Sequence, residues 1–470
     1  GQNITRACEF AAAVFRRSVP MEDNMLMERL LDTLRSSLPH ARRWSGKILA
    51  GWGGVLLSLS AGGLVWADEA APPTLSAGDT AWVLTSTALV MLMTPGLALF
   101  YGGMVRKKNV LSTFMHSFVA LAVIGIQWVI YGYSLSFGPG NSLVGDFSML
   151  FLDGITPESL SGTIPTYVFM WFQGMFAIIT PALISGAIAE RMKFSTYVVL
   201  LVLWATLVYD PVAHWVWGGG WIQKMGALDF AGGTVVHLSS GASALALVFL
   251  LGRRKGYPGE DFVPHNLTMT LLGVALLWFG WFGFNAGSAL GANASAGLAF
   301  TTTMIASAAA GLSWMLMEWM IHKKPSALGL GSGVVAGLVV ITPAAGYVTP
   351  FWSIVMGLSA GVLCYYGIRI KSVFGFDDSL DVVGIHGVGG SWGAIATGIF
   401  ATIGGTGLVA GDPALLGKQF IGVAVVAVYA FVLTYVLGLI LEKTMGLRAD
   451  EEAEVMGLDR ELHGEVGYTL

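Results

Sequence analysis

Apolar residues fall into long unbroken runs separated by short polar connections, with no alternation of the kind a half-buried strand shows. Eleven runs are predicted as membrane-crossing helices, near residues 80–101, 113–137, 165–189, 194–217, 232–251, 266–284, 296–321, 327–342, 351–370, 383–402 and 420–442. Most approach the roughly 20 residues that cross a hydrocarbon core of about 30 Å. The connections carry a second pattern. Arg106, Lys107 and Lys108 follow run 1, Arg191 and Lys193 run 3, Arg253, Arg254 and Lys255 run 5, Lys323 and Lys324 run 7, Arg369 and Lys371 run 9, and Lys443 and Arg448 run 11. The alternate connections hold only Lys224 and Lys418. Basic residues collect on the cytoplasmic side, so the amino terminus is expected outside and the carboxyl terminus inside. With five runs in each half, the halves traverse the bilayer in opposite senses. The predicted fold is an all-α polytopic membrane protein: a five-plus-five inverted repeat with one helix added.

Composition agrees with that class. Of 470 residues, 55% are hydrophobic and only 11% charged, less than half the roughly 25% usual in soluble domains. Mean hydropathy is +0.70. Glycine, 63 residues, suits helices whose backbones approach closely. Cys8 and Cys364 are far apart, which supports neither a disulfide framework nor a thiolate metal site. The net charge of −4 says little about partners, and no nucleic-acid signature is present.

Residues 1–46 carry mixed charge and no apolar run, beginning at Gly1 with Met21 and Met25 as candidate starts, and are set apart as an extension that is either not native or not part of the mature protein. Residues 47–67 read as a secretory signal peptide: Arg42, Arg43 and Lys47 lead into an apolar run from Ile48 to Val65, with Val65-Trp66-Ala67 before Asp68. The alternative is an uncleaved extra helix. Either leaves Asp68 on the outer face. The transmembrane domain is then 68–445, and 446–470 a cytoplasmic tail.

Asp229 to Gly241 (DFAGGTVVHLSSG) puts one acid and one histidine at the mouth and the interior of an otherwise apolar segment running on to Leu251, and Asp381 to Gly390 (DVVGIHGVGG) repeats the arrangement. A histidine inside a span is costly and usually faces a bundle interior or a water-filled path. His237 and His386 each lie in the last helix of a half, and inverted repeats place their sites between the halves near the midplane. Two neutral imidazoles in contact suit a small molecule that both donates and accepts, or a relayed proton. They suit a bare cation poorly, because there is no carbonyl filter or carboxylate ring. Two histidines without HExxH do not make a metal centre, and no enzyme constellation or cofactor motif accompanies them. At the outer ends, Trp171 to Phe176, Trp217 before three glycines, and Trp281 to Ser288 gather aromatics. Most tryptophans there belong to the interfacial belt, but aromatic faces also attract a desolvated ammonium-like ion at roughly 0.5–2 kcal/mol each. A hydroxyl such as Ser288 can accept one hydrogen bond from it. Since a charge at the bilayer centre costs roughly 2.5–3.5 kcal/mol even on the lenient scale, such an ion would lose its proton before passage.

These stretches resemble the ammonium transporter (Amt/Mep/Rh) family, on its Amt, bacterial side, from about Trp82 to Gly467. The resemblance rests on LALFYGGMVRKKNVLS, FQGMF, AERMKF, WGGGW, DFAGGTVVH, GWFGFNAGS, TPAAGY, DVVGIHG and the tail GLRADEEAEVMGLDRELHGE, in that order. It implies eleven helices per subunit, a homotrimer with one pore per subunit, and uptake of ammonium, with methylammonium as a further substrate, across a bacterial inner membrane. Carried over residue by residue, it implies an outer recruitment site of Trp217, Phe176 and Ser288 with Phe172 nearby, and a stacked gate of Phe176 and Phe284. It implies a twin-histidine pore of His237 and His386, lined or supported by Trp281 and Thr342, and a structural role for Asp229 near the entrance. Tyr101 falls near the cytoplasmic end of the first helix. The tail resembles the part engaged by PII-type regulatory proteins. The long amino-terminal extension and Met175 within FQGMF depart from the pattern without touching the pore chemistry. The rival reading is an ammonium sensor; the roughly 28 residues after the last helix are too few for an appended signalling domain.

Overall fold

A computed structural model describes residues 74–469. The extension 1–46 and the signal-like segment 47–67 lie outside the described residues. The chain forms α1 (Ala77–Met104), α2 (Lys107–Phe137), α3 (Thr166–Ile188), α4 (Phe194–Met225), α5 (Gly233–Leu251), α6 (Leu267–Gly287), α7 (Ala294–His322), α8 (Ala327–Ile341), α9 (Pro350–Phe374), α10 (383–400) and α11 (Ala414–Thr444). Among the described residues, nine of these are long and apolar enough to cross a membrane; α8 and α10 are the shorter two. Short helices α12 (Glu451–Met456) and α13 (Leu458–His463) close the chain.

Helix bounds follow the apolar runs to within a few residues, except that α2 starts six residues early, at Lys107, α4 runs on to Met225 and α11 starts six residues early, at Ala414. The sequence places the start of α11 at 420, but the backbone stays helical from Ala414. Lys418 and Gln419 stop the apolar run without stopping the helix, because the Gln419 amide is paired inside the protein, donating to the carbonyls of Leu228 and Ala394 (both 2.8 Å).

The packing repeats between halves. The neighbours α1–α2, α1–α3, α2–α3, α2–α4 and α3–α5 recur as α6–α7, α6–α8, α7–α8, α7–α9 and α8–α10. Helices α1 and α6 form the largest contact between the halves and lie antiparallel: a Cβ on Gly103 would meet Thr270, one on Gly96 would meet Leu276, and one on Gly283 would meet Leu89. The halves therefore run in opposite senses. Helices α5 and α10 cross where a Cβ on Gly241 would lie 2.2 Å from the Gly387 nitrogen. Only a residue without a side chain lets the two backbones come so near.

One end gathers the basic connections into a buried ionic network. The Glu190 carboxylate accepts from Arg106 (3.1 Å), Asn109 (2.9 Å) and Arg254 (3.0 Å), and Arg254 forks onto both oxygens of Asp377 (2.9 Å each). Burial alone would raise the Glu190 carboxyl, but Arg254 and Arg106 hold it below its ordinary range. The tail docks on this end. Asp459 accepts from the Leu111 (3.0 Å) and Ser112 (2.8 Å) amides at the start of α2, and Lys108 donates to the Val455 carbonyl (2.6 Å). A carboxylate there satisfies unpaired amides and meets the positive end of the helix dipole.

Candidate functional site

Both histidine-bearing helices begin with a π turn. Gly233–Leu238 carries His237 and Val383–Gly387 carries His386. Such i→i+5 turns are rare and recur at functional sites. The rings meet at the crossing of α5 and α10, with Nδ1 to Nδ1 at 3.2 Å. Each neutral imidazole has one donor and one acceptor nitrogen, so one ring donates and the other accepts. Both side chains are buried, and His237 keeps its Nε2 without a partner.

The imidazoles border a chamber of about 10 Å³ whose other walls are apolar, among them Met93, Leu97, Leu183, Val335, Trp281 and Phe284. That is room for about one water-sized molecule. Trp281 lies nearly parallel to His237, centroids 5.4 Å apart. Its indole N–H donates to the Thr342 hydroxyl (2.9 Å), which donates in turn to the Leu338 carbonyl (2.7 Å). Trp281 thus lines the chamber, and Thr342 holds it from behind.

On the far side of Phe284 is a vestibule of about 200 Å³, bordered by Phe176, Trp217, Ser288, Gln173, Phe169 and Phe230. Phe176 and Phe284 separate the two spaces with centroids 4.4 Å apart, but at 42° the rings are tilted rather than stacked as the resemblance implied. Phe176 also meets Trp217 edge-on, 5.8 Å away. The Trp217 indole N–H donates to the Asp229 carbonyl (2.9 Å), which fixes its face. Ser288 donates its hydroxyl hydrogen to the Phe284 carbonyl (2.8 Å), so what it offers the vestibule is an acceptor lone pair. Phe172 is fully buried and packs edge-on against Phe176 at 5.1 Å, away from the vestibule wall.

Asp229 faces inward. Its carboxylate accepts from the amides of Gly232, Gly233 and Thr234 (2.7 Å each) and Val235 (3.3 Å), and from the Thr234 hydroxyl. Every amide at the start of α5's π turn is thereby satisfied. One residue orients both His237, through its helix, and Trp217, through a carbonyl.

The second half corrects the sequence reading. Asp381, taken there as the counterpart of Asp229, sits in the left-handed region (φ 64°) and pairs with Lys371 at 2.6 Å. Asp378 caps α10 instead, accepting from the Val383 amide at 2.8 Å. The sequence held the signal: Asp229 to His237 and Asp378 to His386 are both steps of eight residues.

Comparison with known proteins gives one family. Residues 81–468 match the profile described as Ammonium Transporter Family. An ammonium transporter of Bacillus subtilis is 54% identical over 399 residues, covering 83% of this chain and 98% of the relative. Ammonium transporter Amt1 of Archaeoglobus fulgidus is 48% identical, covering 84% and 100%. Among solved structures, Candida albicans Mep2 aligns with TM-score 0.76 at 37% identity, over 81% of this chain and 88% of that one. A structure titled Sensor Amt Protein aligns at 0.77 and 30% identity, over 82% and 98%.

Proposed function

The chain belongs to the ammonium transporter family, and from that premise we propose that it takes up ammonium by stripping its proton in the vestibule and passing ammonia and proton along His237 and His386. Ammonium loses water against the faces of Trp217 and Phe176, with Ser288 accepting one N–H. The chamber behind the gate is apolar and narrow, so a charged, hydrated ion is disfavoured there by several kcal/mol, and ammonia is not. Phe176 and Phe284 rotate apart to admit it. The observation that carries the reading is the 3.2 Å contact between the imidazoles inside a chamber of about 10 Å³. A continuous donor and acceptor thread supports a relay for the proton that the ammonium gave up.

The same reading places the amino terminus outside, the carboxyl terminus in the cytoplasm, and the protein in a bacterial inner membrane. Exposed apolar side chains along α7 and α9, including Met304, Leu312, Ile354 and Leu358, suit lipid and the neighbouring subunits of a homotrimer. The domain runs over 68–445. The cytoplasmic tail is 446–470; its described residues, through 469, dock at the basic end, where a PII-type regulator would meet it, and methylammonium fits the same vestibule.

The test is current from purified protein on a solid-supported membrane after an ammonium jump, with His237→Ala beside the unchanged chain. A transient whose decay depends on the lipid-to-protein ratio, and which vanishes in the variant, is the expected result. Ammonia equilibration without current would make the protein a neutral gas channel. Neither, with ammonium still bound, would make it a sensor.

A further inference from the structure

The two capping aspartates occupy equivalent places and are not equally satisfied. Asp229 has both oxygens filled by backbone amides and the Thr234 hydroxyl. Asp378 is 1% exposed, and its Oδ2 accepts from the Val383 amide while its Oδ1 is buried with no partner. A helix cap needs one such oxygen. Leaving the other bare in a buried place costs roughly 1–3 kcal/mol or more, which capping does not explain.

Its position does. Val383 opens the π turn Val383–Gly387 that carries His386, so the amide that Asp378 caps lies about one helical turn along α10 from His386, on the side of the basic end. Tyr101, next to the chamber-lining Phe100, and Val382 both border Gly186 where α1, α3 and α10 meet. The groups around Asp378 come from each element packed there: Lys371 of α9 donates to its carbonyl (3.0 Å) and pairs with Asp381, Arg191 donates to neighbouring Ser379 (2.6 Å), and Tyr101 of α1, its hydroxyl on the Leu183 carbonyl (3.1 Å), lies within reach of its charge.

We propose that Asp378 is the inner proton-exchange residue of the pore, receiving the proton relayed by His237 and His386 and handing it to the ammonia that leaves. The proposal rests on the relay reading above. When the proton leaves, a His386 N–H bond breaks, a water between them carries the proton, and an O–H bond forms on Asp378. When ammonia passes, that O–H bond breaks and a fourth N–H bond forms, regenerating ammonium and the carboxylate. Burial, and then the neighbouring Asp381 carboxylate, lift this acid to about 6, against the pull of Lys371. It can therefore change protonation state close to cellular pH, where an ordinary carboxyl could not.

The experiment is ammonium-driven current in proteoliposomes of the full chain, with the inner buffer stepped from well above to well below pH 6. An acceptor must be ionised to receive, so current should bend downward as the inner pH falls through that value. Asp378→Asn keeps an oxygen for the Val383 amide but cannot exchange a proton; its current should fall on the order of a hundredfold with the bend gone and thermal melting unchanged. Asp378→Glu should restore both. Wild-type current and bend in Asp378→Asn would overturn the proposal and leave the relay reading standing; absence of current in the unchanged chain would overturn both. Should Asp378→Asn fail to fold, Asp381→Asn carries the test: removing the charge that lifts Asp378 should move the bend to lower pH, and a bend that stays in place overturns the assignment.

Discussion

The two ends of the path are built from opposite chemistry. The vestibule end is aromatic and nearly uncharged: the nearby Asp229 carboxylate is turned inward and spent on backbone amides and the Thr234 hydroxyl. The basic end is laced with ion pairs, Glu190 to Arg106 and Arg254, Arg254 to Asp377, and Lys371 to Asp381. An aromatic face can hold a cation weakly and release it neutral. An ion-pair network does something else: it ties four connections and the tail to one another and leaves the bilayer path uncharged. On the proposed reading, recognition at one end rests on contacts of about 1 kcal/mol each, and architecture at the other on buried charges that cannot be removed singly.

The largest effect should come from the ionic end. Arg254→Ala strips Asp377 of both its side-chain partners on that guanidinium and Glu190 of one, and breaking a buried pair costs roughly 3–5 kcal/mol. The expected outcome is a large loss of thermal stability in detergent. A fall no greater than that of an exposed arginine, such as Arg253→Ala, would erase the contrast between the ends. Between them, Gly241→Ala pushes a methyl to 2.2 Å from the Gly387 backbone, and overpacking of this kind costs about 1–3 kcal/mol. Because α5 and α10 must part to make room, the imidazole contact should lengthen, and current should fall further than melting temperature does. The smallest effect belongs to the vestibule. Trp217→Ala removes one aromatic face worth about 0.5–2 kcal/mol, so the ammonium concentration for half-maximal current should rise roughly twofold to thirtyfold with maximal current little changed. A collapse of maximal current instead would mean that Trp217 shapes the path rather than the recruitment.

Much of this was legible in the chain because membrane helices announce themselves. Each must satisfy its own backbone in hydrocarbon, so length and hydropathy alone mark it. His237 and His386 stood out for the same reason: a polar ring is conspicuous in an apolar run. Asp378 was hidden because the nearer acid, Asp381, copied the spelling of Asp229 while Asp378 copied its spacing, and only the spacing decides which carboxylate reaches the first amides of the helix. The resemblance put Phe172 near Phe176, and the rings do meet edge-on at 5.1 Å; that Phe176 borders the vestibule while Phe172 does not is decided by the packing around α3.

The sequence by itself determined the membrane class, the run of helices, the opposed halves and the identity of the polar residues within them, since each follows from local composition against a solvent of fixed thickness. Only the tertiary structure decided that the two imidazoles touch, that the gate rings are tilted, and that one capping aspartate is saturated while its twin keeps a bare oxygen. Those facts depend on how closely α5 and α10 cross at Gly241 and Gly387, a distance set by every helix packed behind them.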